Sequence, residues 1–248
     1  MRTLTIVAGR AFLAAFAVCV ATSAFADEAA VRRLVEERLR SGGAIESVRK
    51  APWGDLYEVV VRGADGPQIY YVDGDARVVI VGRAIDAKTG RNLTEERQRA
   101  LSAIRWESLP FRWAITDRRG TGRRKIAIFS DPNCPYCKRF EEDLAKLDDI
   151  TVHIFPYAVI KPESVRQAKS VWCSKDRIKA WNDLMFRRIE PAASPDCDTP
   201  VEKLIELGRR LGANSTPTWF VETGERYSGA LPLEDTRRLL DAASPVKR

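Results

Sequence analysis

Phe129-Ser130-Asp131-Pro132-Asn133-Cys134-Pro135-Tyr136-Cys137 decides how the rest of the chain is read. An apolar run, Ile126-Ala127-Ile128-Phe129, leads into it and reads as a buried strand. Lys138 to Leu147 follow it as a helix, with Phe140, Leu144 and Leu147 on one face. Pro135 then falls at the first helical position, where its missing N–H costs nothing. Cys134 lands at the helix cap, where orphan backbone N–H groups and the positive end of the dipole favour a thiolate. A cysteine in that setting is an attacking nucleophile. Cys137, one turn later, is placed to attack Cys134 in return. The spacing predicts a redox dithiol, with Cys134 exposed and partial burial tolerated at Cys137.

Other chemistries fit the spacing less well. A structural zinc site wants a second close pair of ligands. The remaining cysteines are far apart, and the only histidine, His153, has no partner in the sequence. Haem attachment needs His after the second cysteine, where Lys138 stands. His153 falls in an alternating run, Ile150 to Phe155, as an outward position of a strand with no catalytic role.

Working outward, the N-terminus carries Arg2 and Arg10, an apolar run from Ala11 to Val20, and Ala24-Phe25-Ala26. This is the pattern of a cleaved secretory signal peptide over 1–26, and the run is too short to span a bilayer. Removing it also removes Cys19 and leaves 222 residues with a net charge of +5. Charges of both signs are interspersed, and no basic stripe is interleaved with aromatics, so nucleic acid is not an expected partner. Cys134, Cys137, Cys173 and Cys197 remain, an even count that in a secreted chain suggests two disulfides. If Cys134 and Cys137 are the working pair, Cys173 and Cys197 form a structural bridge. A second redox pair is the alternative.

Glu28 to Ser41 reads as an amphipathic helix closed by Gly42-Gly43. Strand-like runs follow at 56–61, 68–72 and 77–81, the last two joined by the hairpin signal Asp73-Gly74-Asp75. A unit this small is marginal alone, and pairing with a second copy would relieve the shortage of core. Asn92 to Leu109 reads as one charged helix capped by Asn92, polar enough for an exposed connector. Beyond it we expect a strand over Phe111–Ile115, a basic turn, the strand before Cys134, and the strand at 150–155. Helices over 162–173, 176–188 and 200–211, a hairpin of 218–221 with 225–228, and a helix over 233–243 complete the chain. That order predicts an α/β domain with a mixed central sheet.

These residues resemble the periplasmic thiol–disulfide isomerases of the DsbC/DsbG family. Cys134-Pro135-Tyr136-Cys137 after Phe129-Ser130-Asp131 is similar to that family's active-site segment, and Ser215-Thr216-Pro217 to its cis-proline loop. The Pro135-Tyr136 pair resembles the DsbG branch more than the DsbC branch. The resemblance implies an α+β chain. A small helix-plus-antiparallel-sheet (cystatin-like) dimerisation domain would occupy 27–91, a helical linker 92–110, and a thioredoxin-like α/β domain with a helical insertion 111–248. It implies a structural disulfide between Cys173 and Cys197, substrate binding at Thr216 and Pro217, and a homodimer.

The implied activity is a disulfide isomerase and reductase acting on misoxidised or unfolded secreted proteins in the periplasm, with a chaperone-like role. Cys134 attacks and Cys137 resolves. A DsbD-type membrane reductase would supply electrons, and no metal or organic cofactor is needed, because the thiols carry them. Asp131 is either a proton-transfer aid beneath the dithiol or a plain turn residue. Alternative activities are a DsbA-type thiol oxidase and a non-enzymatic holdase.

Overall fold

The structure, a computed structural model, describes residues 28–38, 43–63 and 66–244. The expected signal peptide, the helix stop at Gly42 and the last four residues lie outside them. The described chain divides into two compact units, one closing at Gly82 and the other opening at Arg83.

In the first unit, α1 (Glu28–Arg38) packs on a four-stranded antiparallel sheet of β1 (Ala44–Lys50), β2 (Leu56–Gly63), β3 (Gly66–Asp73) and β4 (Val79–Ile80), in that order. Val31 and Val35 of the helix meet Val48, Tyr57, Val59, Val61 and Val72 of the sheet. β1 is absent from the sequence reading. Its register shifts between Ile45 and Ser47, so the period-two alternation that would reveal a strand is interrupted. β4 is two residues long, shorter than the expected 77–81.

In the second unit, β5 (Ile115–Arg119), β6 (Arg124–Ser130), β7 (Ile150–Pro156), β8 (Thr218–Val221) and β9 (Arg226–Ser228) form a sheet in the order β5-β7-β6-β8-β9. Only β6 and β7 are parallel, so the sheet is mixed. One face is covered by α3 (Pro135–Leu144), α4 (Pro162–Cys173), α5 (Arg177–Arg187) and α7 (Leu233–Ala243), through Phe140, Val171, Trp181, Leu184 and Leu240. On the other face Phe129, Phe155 and Phe220 pack with Leu204 of α6 (Val201–Arg210).

Two expectations fail around 92–119. The helix capped by Asn92 does form as α2 (Leu93–Leu101), and Asn92 accepts the Glu95 N–H, but it ends at Leu101 instead of running to Leu109. The residues beyond it are no exposed connector. Trp106 and Leu109 are buried against Phe129, Phe155 and Phe220, which a continuous helix could not achieve on its sparse apolar stripe. This segment is fastened where the Ile104 N–H donates to the Gly224 carbonyl at 3.0 Å. Gly224 has φ +85°, and a Cβ there would stand 1.8 Å from the Ile104 carbonyl oxygen, so the turn requires glycine. The expected strand at 111–115 is instead a single 3₁₀ turn, Phe111–Trp113. The strand begins at Ile115 and takes in Arg118 and Arg119, which read as a turn by composition.

Candidate active site

β6, the central strand of the five, ends at Ser130, and Asp131-Pro132-Asn133 turn the chain into α3. Asp131 is fully buried, and its carboxylate accepts from the backbone N–H groups of Asn133, Val159 and Ile160 and from the Ser164 hydroxyl, all within 2.7 to 2.8 Å. Its side chain therefore ties the turn to the loop after β7. Of the two roles expected for it, the turn residue is the one its contacts serve. Asn133 extends the same network, donating to Ser164 Oγ at 2.9 Å and to Gln167 Oε1 at 2.7 Å.

Cys134 caps α3 with extended backbone angles (φ −84°, ψ 117°), and Pro135 opens the helix. The Cys134 sulfur accepts the Cys137 N–H at 3.4 Å. Both cysteines are free thiols. The Cys134 thiol is pulled down to about 6, chiefly because the Cys137 thiol donates to the thiolate. Burial opposes this, and the Thr216 side chain and the N–H groups of Cys137 and Tyr136 add to it. Cys137 moves the other way. Burial pushes its thiol far up, and the bond it gives to Cys134 holds its proton further. Two chemically identical groups one helical turn apart are thus split into an ionised and a protonated partner.

The Thr216-Pro217 peptide is cis. The Thr216 carbonyl lies over Cys134 at 3.4 Å from the sulfur. That contact corrects one expectation: Cys134 is not openly exposed, because only 3 % of its surface is accessible beneath this loop and against the start of α3. Tyr136 beside it is 65 % exposed, and Val159 and Ile160 also face solvent. A cavity of about 400 Å³ runs alongside, lined by Tyr157, Val159, Ile160, Arg209, Asn214 and Thr216.

Cys173 at the end of α4 is disulfide-bonded to Cys197, with a sequence separation of 24. This places the second pair in the helical segment, apart from the thiols at α3. His153 is not the solvated position expected of it. Phe111 covers it with ring centroids 4.5 Å apart, Thr116 Oγ1 lies 3.1 Å from its Nδ1, and burial lowers its pKa to about 4. Among the described residues no cluster of histidine, cysteine and carboxylates could hold a metal ion. Nor is any helix there long and apolar enough to cross a membrane.

One group near the thiols escaped the sequence reading. Glu141 is buried on α3, one turn beyond Cys137. It accepts from Ser130 Oγ at 2.5 Å and from Trp181 Nε1 at 2.7 Å. The spacing of four that sets Cys137 and Glu141 on one helical stripe was the available signal.

A dithiol at the start of a helix, facing a cis-proline loop across a mixed five-stranded sheet, defines a thioredoxin-like thiol–disulfide oxidoreductase. Residues 111–244 match the thioredoxin-like domain, and residues 22–95 match the disulfide bond isomerase protein N-terminal domain. The chain is 39% identical over 194 residues to the probable thiol:disulfide interchange protein DsbC of Bordetella pertussis, covering 78% of this chain and 67% of that protein. It is 24% identical over 235 residues to the thiol:disulfide interchange protein DsbC of Escherichia coli K12, covering 91% and 93%. The crystal structure of a disulfide interchange protein from Neisseria gonorrhoeae superposes with a TM-score of 0.52 at 36% identity, over 54% of this chain and 98% of that one. The chain belongs to the DsbC family of thiol:disulfide interchange proteins.

Proposed function

We propose that the chain reduces and isomerises wrong disulfides in secreted proteins through Cys134. The Cys134 thiolate attacks a substrate disulfide, forms a mixed disulfide and releases one substrate thiolate. In isomerisation another substrate thiol then displaces Cys134. In reduction Cys137 attacks, releases the second substrate thiolate and leaves the Cys134–Cys137 pair oxidised. The observation that carries this reading is the sulfur of Cys134 at the cap of α3, accepting the Cys137 N–H with its pKa drawn down to about 6. Thr216 and Pro217, beside the sulfur, are the surface on which an extended substrate segment would lie. No cofactor enters this chemistry, but returning Cys134 to the thiol state does call for an electron donor. A membrane reductase of the DsbD type fits that need.

The leader pattern in 1–26 and the Cys173–Cys197 bridge support a periplasmic location, since such bridges persist in oxidising compartments. A homodimer is supported by the match of residues 22–95 and by the exposed Val78, Ile80 and Val81 around the short strand β4. A chaperone-like role would use the exposed Tyr136, Val159 and Ile160 of the second unit to hold unfolded chains. Refolding of a scrambled multi-disulfide protein, with light scattering for mass, tests the reading. Recovery of native activity with the wild type and none with Cys134→Ser is expected. Equal recovery with both would overturn it.

A further inference from the structure

The cavity of about 400 Å³ beside the cis-proline loop plays no part in the thiol exchange itself, yet one of its walls carries a charge that nothing else in the site uses. Thr216 belongs to both places. Its carbonyl lies 3.4 Å from the Cys134 sulfur, and the residue also lines the cavity. The facing walls are Tyr157, Val159 and Ile160, from the segment after β7, and Arg209 in the last turn of α6. Asn214 and Ser215 complete the rim.

These walls are fastened from behind. The Val159 and Ile160 N–H groups donate to the buried Asp131 carboxylate at 2.7 and 2.8 Å, which ties them to the turn that carries Cys134. The Tyr157 hydroxyl donates to the Ala213 carbonyl at 3.0 Å, which ties the same segment to the cis-proline loop. The Tyr157 ring stands edge-on to Phe129 and lies against α6 at Gly208, where a Cβ would come within 2.4 Å of it. Both loops are therefore anchored to each other and to the helix, and the cavity between them is built rather than incidental.

Its lining is chemically one-sided. Val159 and Ile160 expose apolar surface, Asn214 and Ser215 are exposed and polar, and Arg209 supplies a full positive charge. No carboxylate lines the cavity, and among the described residues Arg209 has no ion-pair partner. Burial pushes the Tyr157 phenol up, and the Arg209 charge opposes that rise, so the charge acts within the cavity. The neighbouring Arg210 serves the C-terminal dipole of α6 equally well but does not line the cavity.

We infer that this cavity is a substrate subsite for an acidic side chain, and that Arg209 selects it. The inference rests on the reading of Cys134 as nucleophile and of Thr216 and Pro217 as the surface for an extended substrate segment. An extended chain advances about 3.3 Å per residue, so an Asp or Glu within about three residues of the reacting cysteine falls over the cavity. Its methylenes lie on Val159 and Ile160, and its carboxylate accepts from the Arg209 guanidinium, whose fork matches two oxygens. The favoured substrate is a secreted protein whose wrong disulfide is flanked by Asp or Glu, and a lysine in that place is rejected. Arg209 meets substrate away from the reacting atoms, so it sets which disulfide is seated and not how fast sulfur exchanges afterwards.

The test uses reduced full-length protein and short peptides whose single cysteine is held as a 2-thiopyridyl disulfide. The Cys134 thiolate bonds to the peptide sulfur, and the thiopyridyl group leaves with the electron pair, takes a proton from water and is read as pyridine-2-thione by stopped-flow absorbance. Glu, Gln and Lys are compared at successive positions on either side of the cysteine. In the wild type at least one position should favour Glu over Gln by about fivefold in the second-order rate constant, with the gain in KM, as an ion pair at a partly exposed site allows. Lys there should be slower than Gln. Arg209→Gln should abolish the preference, Arg209→Glu should turn it towards Lys, and Arg209→Lys should keep part of it. Arg210→Gln makes the same change in net charge outside the cavity and should leave the preference intact. A wild type without preference at any position overturns the inference. So does a preference that survives Arg209→Gln, or one that Arg210→Gln lowers equally. An iodoacetamide rate at Cys134 that falls in Arg209→Gln in step with the peptide rate would place the effect on the sulfur and overturn it as well. Peptides that react as fast with Cys134→Ser as with the wild type would instead defeat the reading of Cys134 itself, whatever the preference.

Discussion

The second unit holds two pairs of cysteines with opposite fates. Cys134 and Cys137 stand one turn apart at the start of α3 and are thiols, whereas Cys173 and Cys197 join the end of α4 to a loop and are bridged. The first pair lies among donors. The Cys137 N–H and thiol both stabilise a negative sulfur at 134. The second pair has no such cradle: the Cys197 sulfur's contact is the Asp198 carbonyl at 3.7 Å, which offers a thiolate nothing. Reactivity follows what surrounds the sulfur, and stability follows how much chain the bridge closes. The difference shows that the same element in one domain is sorted into reagent and staple by local hydrogen bonding.

The largest effect separating the pairs should come from Cys134→Ser, which is expected to cut reduction of a disulfide-bonded protein substrate by about a thousandfold or more, as loss of a nucleophile does. Cys137→Ser should accumulate mixed disulfides, visible as a mass increase on non-reducing gels. Replacing Cys173 and Cys197 together by Ala should instead lower unfolding free energy by about 3 to 4 kcal/mol on the chain-entropy account, read from urea denaturation. The Cys134 alkylation profile should survive that change, and a shifted profile would break the comparison.

A finer probe is the iodoacetamide rate against pH. It should rise with pH through a midpoint of about 6, because the thiolate is the reacting form. The sign for stability is the matching one. The thiolate's contribution is present above the ordinary thiol value and is lost as pH falls through about 6, and Cys134→Ser should lack it. The smallest effect is expected at the cap of α5, where Asp176 accepts the Lys179 N–H at 3.0 Å. Asp176→Ala should cost about 1 kcal/mol in the same denaturation assay and leave thiol chemistry unchanged.

Legibility in the sequence followed the range of the interaction. The Pro135 start of α3, the cap at Cys134, the Asn92 cap of α2 and the turn at Asp73-Gly74-Asp75 depend on neighbours within a few residues, and all could be read from the chain. Strand β1 could not, because its shift at Ile45 to Ser47 hides the alternation. Nor could the end of α2 at Leu101, which is decided by Trp106 and Leu109 finding Phe129, Phe155 and Phe220.

By itself the sequence determined the dithiol, its place at a helix start, the even cysteine count and the alternation of strands and helices around it. Those are local properties, fixed by side-chain type and spacing. Tertiary structure alone decided that Thr216 closes over Cys134, that Asp131 holds the turn, and that Ser130 and Trp181 hold a buried Glu141. The physical reason is burial. Desolvation and a handful of hydrogen bonds from distant segments set which sulfur ionises and which carboxyl keeps its proton, and only the packed chain brings those segments together.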